Sequence, residues 1–210
     1  MKISQFFEVQ IKPGRVDEYL GLAAALKPVL EAMGGCLFID RFKSLSRGNV
    51  LLSYQIWRDE ASLTAWRANA KHHSVQEVGR DKVFADYRIR IAQLVHEQRP
   101  GSDAWRPDRF TPYNDPSRRA PTFVLAAESK RAELPVDTAW PRDDFESVYR
   151  PGQFAHLVDV PSPEAAVAFG KQLFADATTE YFRVFEVMRD YGMFDRREAP
   201  QYYPPIARAE

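Results

Sequence analysis

The sequence predicts an α+β protein built from two β-α-β-β-α-β units with antiparallel sheets, the second of them shortened. Three observations lead to that fold class. Across residues 6–96, segments of period two and of helical period follow one another as strand, helix, strand, strand, helix, strand. Residues 98–121 then carry Pro100, Pro107, Pro112, Pro116 and Pro121 among charges, the composition of a linker and not of a core. From Thr122 onward, strand-like segments resume in an order that can be laid over the first half.

Each element has a local reason. Residues 6–11 alternate loosely and end at the turn pair Pro13-Gly14. Over 15–33, Val16, Tyr19, Leu20, Ala23, Leu26 and Leu30 form a helical stripe, which Gly34-Gly35 should cap. Pro28 lacks an N–H and should bend or tighten the end of that helix. Strands over 36–43 and 49–57 flank a turn in which Gly48 is expected to supply the unusual backbone angle. Asp59-Glu60 open a second helix with acids in its first turn, as the helix dipole favours; it breaks near Asn69 and resumes through Val75, Val78 and Phe84. Residues 87–96 make a fourth strand. The order is the ferredoxin-like one, with both helices on one face of the sheet.

In the second half, strands are expected over 122–127, 146–149, 153–160 and 181–188, with a helix starting at Ser162-Pro163-Glu164. A counterpart of the first helix is missing, because 130–144 is short and interrupted by Pro135 and Pro141. Residues 54–61 overlay on 158–165 at an offset of 104, and 90–93 overlay on 183–186 at an offset of 93. The second copy has then lost 11 residues from the segment holding His72, His73, Gln76, Gly79 and Arg80. The expected division is a first unit at 1–97, a linker at 98–121 and a degenerate second unit with its tail at 122–210. Trp105, Phe110 and Tyr113 suggest that the linker lies across a surface. The sheet face left bare by the helices must meet a second sheet, from the other half or from an identical chain, so a homodimer is also expected.

The totals narrow the functions. Lys plus Arg and Asp plus Glu both number 29, so no global basic field attracts nucleic acid. With a single cysteine, Cys36, neither an intrachain disulfide nor a thiolate metal cluster can form. No leader-like start and no apolar run of about 20 residues is present, so the cytoplasm is the expected compartment and no membrane partner is expected. Neither a phosphate loop nor a nucleotide fingerprint appears, and the scattered histidines His96 and His156 do not read as a metal site.

Candidate chemistry gathers in the first unit. His72 and His73 are adjacent on a helix and point about 100° apart, so only one of them can face a given pocket, as base or axial ligand; the alternative is a solvated pair. Trp66 could stack on a planar substrate or simply fill the core. Tyr54 and Trp57 lie at odd spacing on one strand and face opposite sides, so one of them looks into the space between helices and sheet. Arg80 and Arg88 could hold an anionic or enolate oxygen, or form ion pairs with Asp81 or Asp86.

The wording of several segments is similar to the antibiotic biosynthesis monooxygenase family: residues 72–80 (HHSVQEVGR), 84–90 (FADYRIR), 42–46 (FKSLS) and 57–61 (WRDEA). Residues 5–97 resemble one complete family domain, and 189–193 with 196–200 resemble the tail that follows the last strand in single-domain members. The resemblance implies a dimeric α+β barrel. With the residue readings above, the leading expectation is an oxygenase acting on a planar aromatic small molecule without an organic cofactor, with His72, Trp66 and Arg80 as catalytic residues and Tyr54, Trp57, Phe7 and His73 around the substrate. The runner-up is a heme-binding or heme-degrading protein: the tryptophan and iron-ligand positions of the heme degraders suit Trp66 and His72, while their asparagine position carries Phe7. A non-catalytic binding or scaffold protein is the third reading.

Overall fold

Eight strands close into one barrel in the order β1-β3-β2-β6-β7-β5-β8-β4, every neighbouring pair antiparallel. The computed structural model describes residues 1–106 and 122–200. Chain order is β1 (Ile3–Ile11), α1 (Val16–Met33), β2 (Cys36–Ser44), β3 (Val50–Trp57), α2 (Glu60–Arg67), α3 (Ala70–Val78), a π-helical turn (Gly79–Val83), β4 (Phe84–Gln98), β5 (Thr122–Ser129), β6 (Arg142–Ser147), β7 (Phe154–Val160), α4 (Pro163–Leu173) and β8 (Thr179–Gly192). Each half thus arranges its strands alike: β4-β1-β3-β2 in the first, β8-β5-β7-β6 in the second.

Two seams join the halves. One is long, with β4 and β8 paired from Arg88↔Gly192 to Gln98↔Phe182; the other is short, three pairs between β2 and β6. Closure is therefore completed inside one chain, and no second copy is needed to cover the bare sheet face. A closed sheet also leaves no strand edge exposed to pairing.

Strand alternation sorts side chains between two layers. Phe6, Leu52, Tyr54, Leu94, Phe145 and Phe185 point inward and fill the barrel, with Phe6 stacked on Tyr54 at 5.0 Å. Charged clusters close the ends of this core: Arg90 with Glu8 and Asp159 in one, Arg150 with Asp40 and Glu128 in the other. The opposite faces of the strands meet the helices. In the second half, Leu134, Val136 and Trp140 cover the sheet beside α4, where the first half has α1.

Several local expectations change. The pairing register makes Ile3, opposite Trp57 and Gln93, equivalent to Phe123, opposite Val160 and Glu186. By that register, matching positions of β3 and β7 are 103 apart, where the sequence overlay has 104. A one-residue slip sets inward Tyr54 against outward Val158, which alternation forbids. In the turn before β3, the left-handed backbone belongs to Asn49 (φ 58°), not Gly48; asparagine tolerates that region better than other side chains do. α1 runs through Pro28 to Met33, and Pro28 and Ala24 lie on its exposed face, where water can take the carbonyl that lost its N–H. Of the linker aromatics, Trp105 pairs its backbone with Glu97 and Lys2 lies over its ring; Phe110 and Tyr113 lie outside the described residues.

Candidate active site

α2 ends at Arg67, and the side chain of Asn69 restarts the helix as α3, its Oδ1 accepting from the N–H groups of Lys71 and His72, each at 3.1 Å. This two-residue break, Ala68-Asn69, folds α3 back so that His72 meets the end of α2. The imidazole stacks on the Trp66 indole (4.2 Å, 15°), and its Nδ1 lies 2.9 Å from the Trp66 carbonyl oxygen. A carbonyl can only accept, so Nδ1 carries the hydrogen and Nε2 is left as the basic nitrogen. Burial pushes the pKa of His72 down to about 4, against the pull of the same carbonyl, so the ring is neutral at pH 7.

His72 and Trp66 line a cavity of about 310 Å³ between α1, α3 and the outer face of the sheet. That is the small end of the range for small-molecule sites. Phe7, Phe84 and Ile89 supply apolar wall. A polar row crosses the floor: Trp57 Nε1–H donates to Gln55 Oε1 (3.1 Å), and Gln55 Nε2 donates to Ser53 Oγ (3.0 Å). The indole N–H thereby fixes the orientation of the amide. Arg41 adds a guanidinium whose buried Nε has no hydrogen-bond partner, beside Tyr19, whose phenol burial pushes up while Arg41 opposes.

A second compartment of about 270 Å³ adjoins it, sharing Phe7, Gln76, Phe84 and Ile89. His73 and Arg80 line this one, so the two histidines serve different spaces, as their angular separation requires. The segment after β8 reaches back to complete it with Tyr191, Arg196 and Pro200.

The remaining sequence candidates lie elsewhere. Tyr54 faces the barrel interior, where its hydroxyl accepts from Arg183 (3.2 Å), because its side of β3 points away from the helices. Trp57 faces the helix layer but is fully buried beneath Trp66 and off the cavity wall. Arg88 pairs with Asp190 across the β4–β8 seam, not with Asp81 or Asp86. Cys36 is half-buried and burial raises its pKa to about 11, so the thiol stays protonated. Among the described residues no group of three or more His, Cys, Asp or Glu side chains is placed to hold a metal, and no helix is long and apolar enough to cross a membrane. In the second half, Ser129, His156 and Asp144 form a hydrogen-bonded row (2.9 and 2.7 Å), but His156 is fully buried, so the row ties β5, β6 and β7 together.

Sequence reasoning passed over Gln5, Ser53, Gln55 and Arg41. A signal was present in β3: Ser53 and Gln55 share one face of an otherwise apolar strand. The π-helical turn is another mark, since such turns gather at functional sites. A Cβ on Gly79 would lie 2.5 Å from the Phe84 ring. Gly79→Ala is therefore expected to displace Phe84 and cost about 1–3 kcal/mol, measurable by urea denaturation, and to change ligand affinity because Phe84 lines both compartments.

On the outer face of a closed α+β barrel, a neutral, half-buried histidine stacked on an indole lines a cavity of small-molecule size. The family model described as antibiotic biosynthesis monooxygenase matches residues 3–78. A protein named jasmonate monooxygenase, from Pyricularia oryzae, is 34% identical over 222 residues, spanning 96% of this chain and 98% of its own. Among solved structures, putative monooxygenases from Fusobacterium nucleatum (7% identical, 90% of this chain and 93% of that one) and Lactobacillus acidophilus (11%, 89% and 92%) both align with a TM-score of 0.44. The chain belongs to the antibiotic biosynthesis monooxygenase family.

Proposed function

We propose that the chain is a monooxygenase that oxidises a small, flat-ringed, largely apolar molecule in the 310 Å³ cavity, with His72 as its base and no organic cofactor. The observation that carries this reading is the state of His72: neutral, Nδ1 occupied by the Trp66 carbonyl, ring on the cavity wall. Nε2 would take a proton from an acidic C–H of an electron-rich substrate. Arg41 would face the oxygen on which the charge collects. The anion would reduce O₂, converting CH₂ to C=O while the second oxygen atom leaves as water, so that all four electrons come from the substrate. Trp66, Phe7 and Phe84 would keep water away from the anion.

The relative's name makes jasmonate a first candidate beside planar aromatic compounds. Hydroxylation of an unactivated C–H would need two further electrons from an added reductant, so assays belong with and without one. Incubation under ¹⁸O₂ is expected to place one labelled atom in the product without added flavin or nicotinamide. Absence of product and of O₂ uptake across jasmonate and aromatic substrates would refute the reading.

Heme chemistry is the second reading, since an unprotonated Nε2 is also what an iron ligand requires. Phe7, where the heme degraders carry asparagine, supplies no polar group to a bound porphyrin. A Soret shift on hemin addition that disappears in His72→Ala would favour it. The partly open cavity beside Trp66 supports a binding or catalytic role over a purely scaffolding one. We also read residues 122–210 as a pruned copy of 1–97, supported by the matching strand order; self-association is not needed for this reading.

A further inference from the structure

The 310 Å³ cavity has a wall residue that the first half does not supply. Tyr149, in the connection between β6 and β7, lines it together with residues of α1 and β2. Among the described residues that line this cavity, Ala24, Lys27 and Tyr149 are exposed, and the others are buried or half-buried. Ala24 and Lys27 stand one turn apart on α1, so the water-facing rim runs between that helix and the β6–β7 connection. Burial chiefly raises the pKa of the Tyr19 phenol, Arg41 opposes this and the Tyr149 phenol adds to it, which groups the three polar ends at one end of the cavity.

The backbone that carries Tyr149 is fixed to the first half. Val148 N–H donates to the Arg41 carbonyl at 2.8 Å, one step beyond the last β2–β6 pair, Phe42↔Ser147. On the other side, Arg150 donates to the Asp40 carboxylate through Nε (2.9 Å) and Nη2 (2.5 Å). The Ser147 hydroxyl donates to the same carboxylate at 3.0 Å. Both flanks of Tyr149 are therefore clamped to β2, while its ring, 54% exposed, projects at the rim. A side chain that lines a cavity and also meets water stands at its boundary. The short seam between the halves ends there.

We propose that the second half supplies the entrance residue of the catalytic cavity: ligands pass between α1 and Tyr149, whose ring sets the width of what is admitted. Flat molecules of single-ring width enter edge-on, and bulkier ones must displace the phenol from its rotamer. Tyr149 is thus a specificity-determining residue, and the pruned half selects ligands as well as closing the barrel. Its bearing on substrate choice rests on the preceding subsection, whereas passage into the cavity is measurable without turnover.

Ser53 lines the cavity and is 1% exposed, so a thiol at that position reports entry. Cys36 is the chain's one cysteine, and Cys36→Ser/Ser53→Cys leaves a single reporter. Its labelling by methyl and by benzyl methanethiosulfonate is followed by mass spectrometry, each rate divided by that of free cysteine. Adding Tyr149→Ala is expected to speed the benzyl reagent about 5- to 10-fold and the methyl reagent less than about twofold, the scale of displacing one side chain from its rotamer. Tyr149→Trp should slow the benzyl reagent by a similar factor. Leu37→Ala, exposed on the same β2 but off the cavity wall, should leave both rates within about twofold. Ile39→Cys, half-buried on the same wall, is the second reporter should Ser53→Cys lower the melting temperature. Benzyl rates within about twofold in both Tyr149 variants would place entry elsewhere, through the adjoining compartment, and overturn the proposal. A reporter thiol that never reacts in the folded chain would overturn it as well. Size-dependent labelling controlled by Tyr149, with no oxygen uptake on any substrate, would leave the entrance standing and remove the oxygenase reading.

Discussion

His72→Asn is expected to lower kcat by about 10²- to 10⁴-fold, the usual contribution of a positioned base. Asparagine is the informative replacement because its amide nitrogen can take the place of Nδ1 at the Trp66 carbonyl, so the helix junction keeps its hydrogen bond while the basic nitrogen is gone. A variant that folds as the wild type does and retains full turnover would exclude His72 as the base. The pH profile supplies an independent readout. Since burial holds the imidazole near 4, the acid limb of kcat/KM should fall well below the ordinary histidine value of 6.5. Stability carries the same signature. The unfolded chain takes up this proton near 6.5 and the folded chain only near 4, so the stabilisation is complete above 6.5 and is lost as the pH falls through that window. The amount is about 3 kcal/mol. Glu128 acts in the opposite direction: burial raises its carboxyl to about 7 against Arg150 and Arg183, so its contribution is complete below its ordinary 4.5 and lost as the pH rises toward 7. The two partly cancel in wild type, and the difference between wild type and His72→Asn isolates the histidine.

Arg90→Ala is expected to destabilise the barrel by about 3–5 kcal/mol, the scale for removing one member of a buried ion network. Arg90 is 3% exposed and joins Glu8 on β1 (2.9 Å) to Asp159 on β7 (2.6 Å), bridging the two halves across the barrel interior. Its loss leaves the buried Glu8 carboxylate with Arg47 and removes the pair that ties β1 to β7. The mechanism is separable from lost packing. In Arg90→Met/Glu8→Leu/Asp159→Leu no buried charge is left behind, the more exposed Arg47 keeping Asp143, and stability should return to within about 1 kcal/mol of wild type or exceed it. Guanidinium denaturation midpoints measure both. If the triple variant is as unstable as Arg90→Ala, charge burial is not the cause.

Helix starts were legible because caps act over three residues. Asp59 accepts from Ser62 N–H, Asn69 from His72 N–H and Ser162 from Ala165 N–H, each a local contact that sequence spacing can display. Strands were legible from alternation, but alternation carries no absolute phase between distant segments. The overlay of β3 on β7 therefore slipped by one residue and reversed inside and outside. The same limit explains Tyr54 and Trp57: their opposite orientation follows from odd spacing, whereas which of them meets the helices depends on the side of β3 that α1 and α2 cover. His72 and Trp66 were legible as a pair because both sit on one short helix–break–helix segment, next to the family-like wording.

By itself, then, the sequence determined the element order, the Ser162 cap of α4, the family and the segment bearing His72, all of them properties of short-range pattern. Only the tertiary structure decided that the barrel closes within a single chain, since that turns on ladder pairing between β4 and β8, some hundred residues apart. It alone placed Arg41, Ser53 and Gln55 around one cavity and set Arg196 beside Arg80 in the next. Those side chains come from separate elements, and their proximity is a consequence of strand register and closure, long-range quantities that no local periodicity encodes.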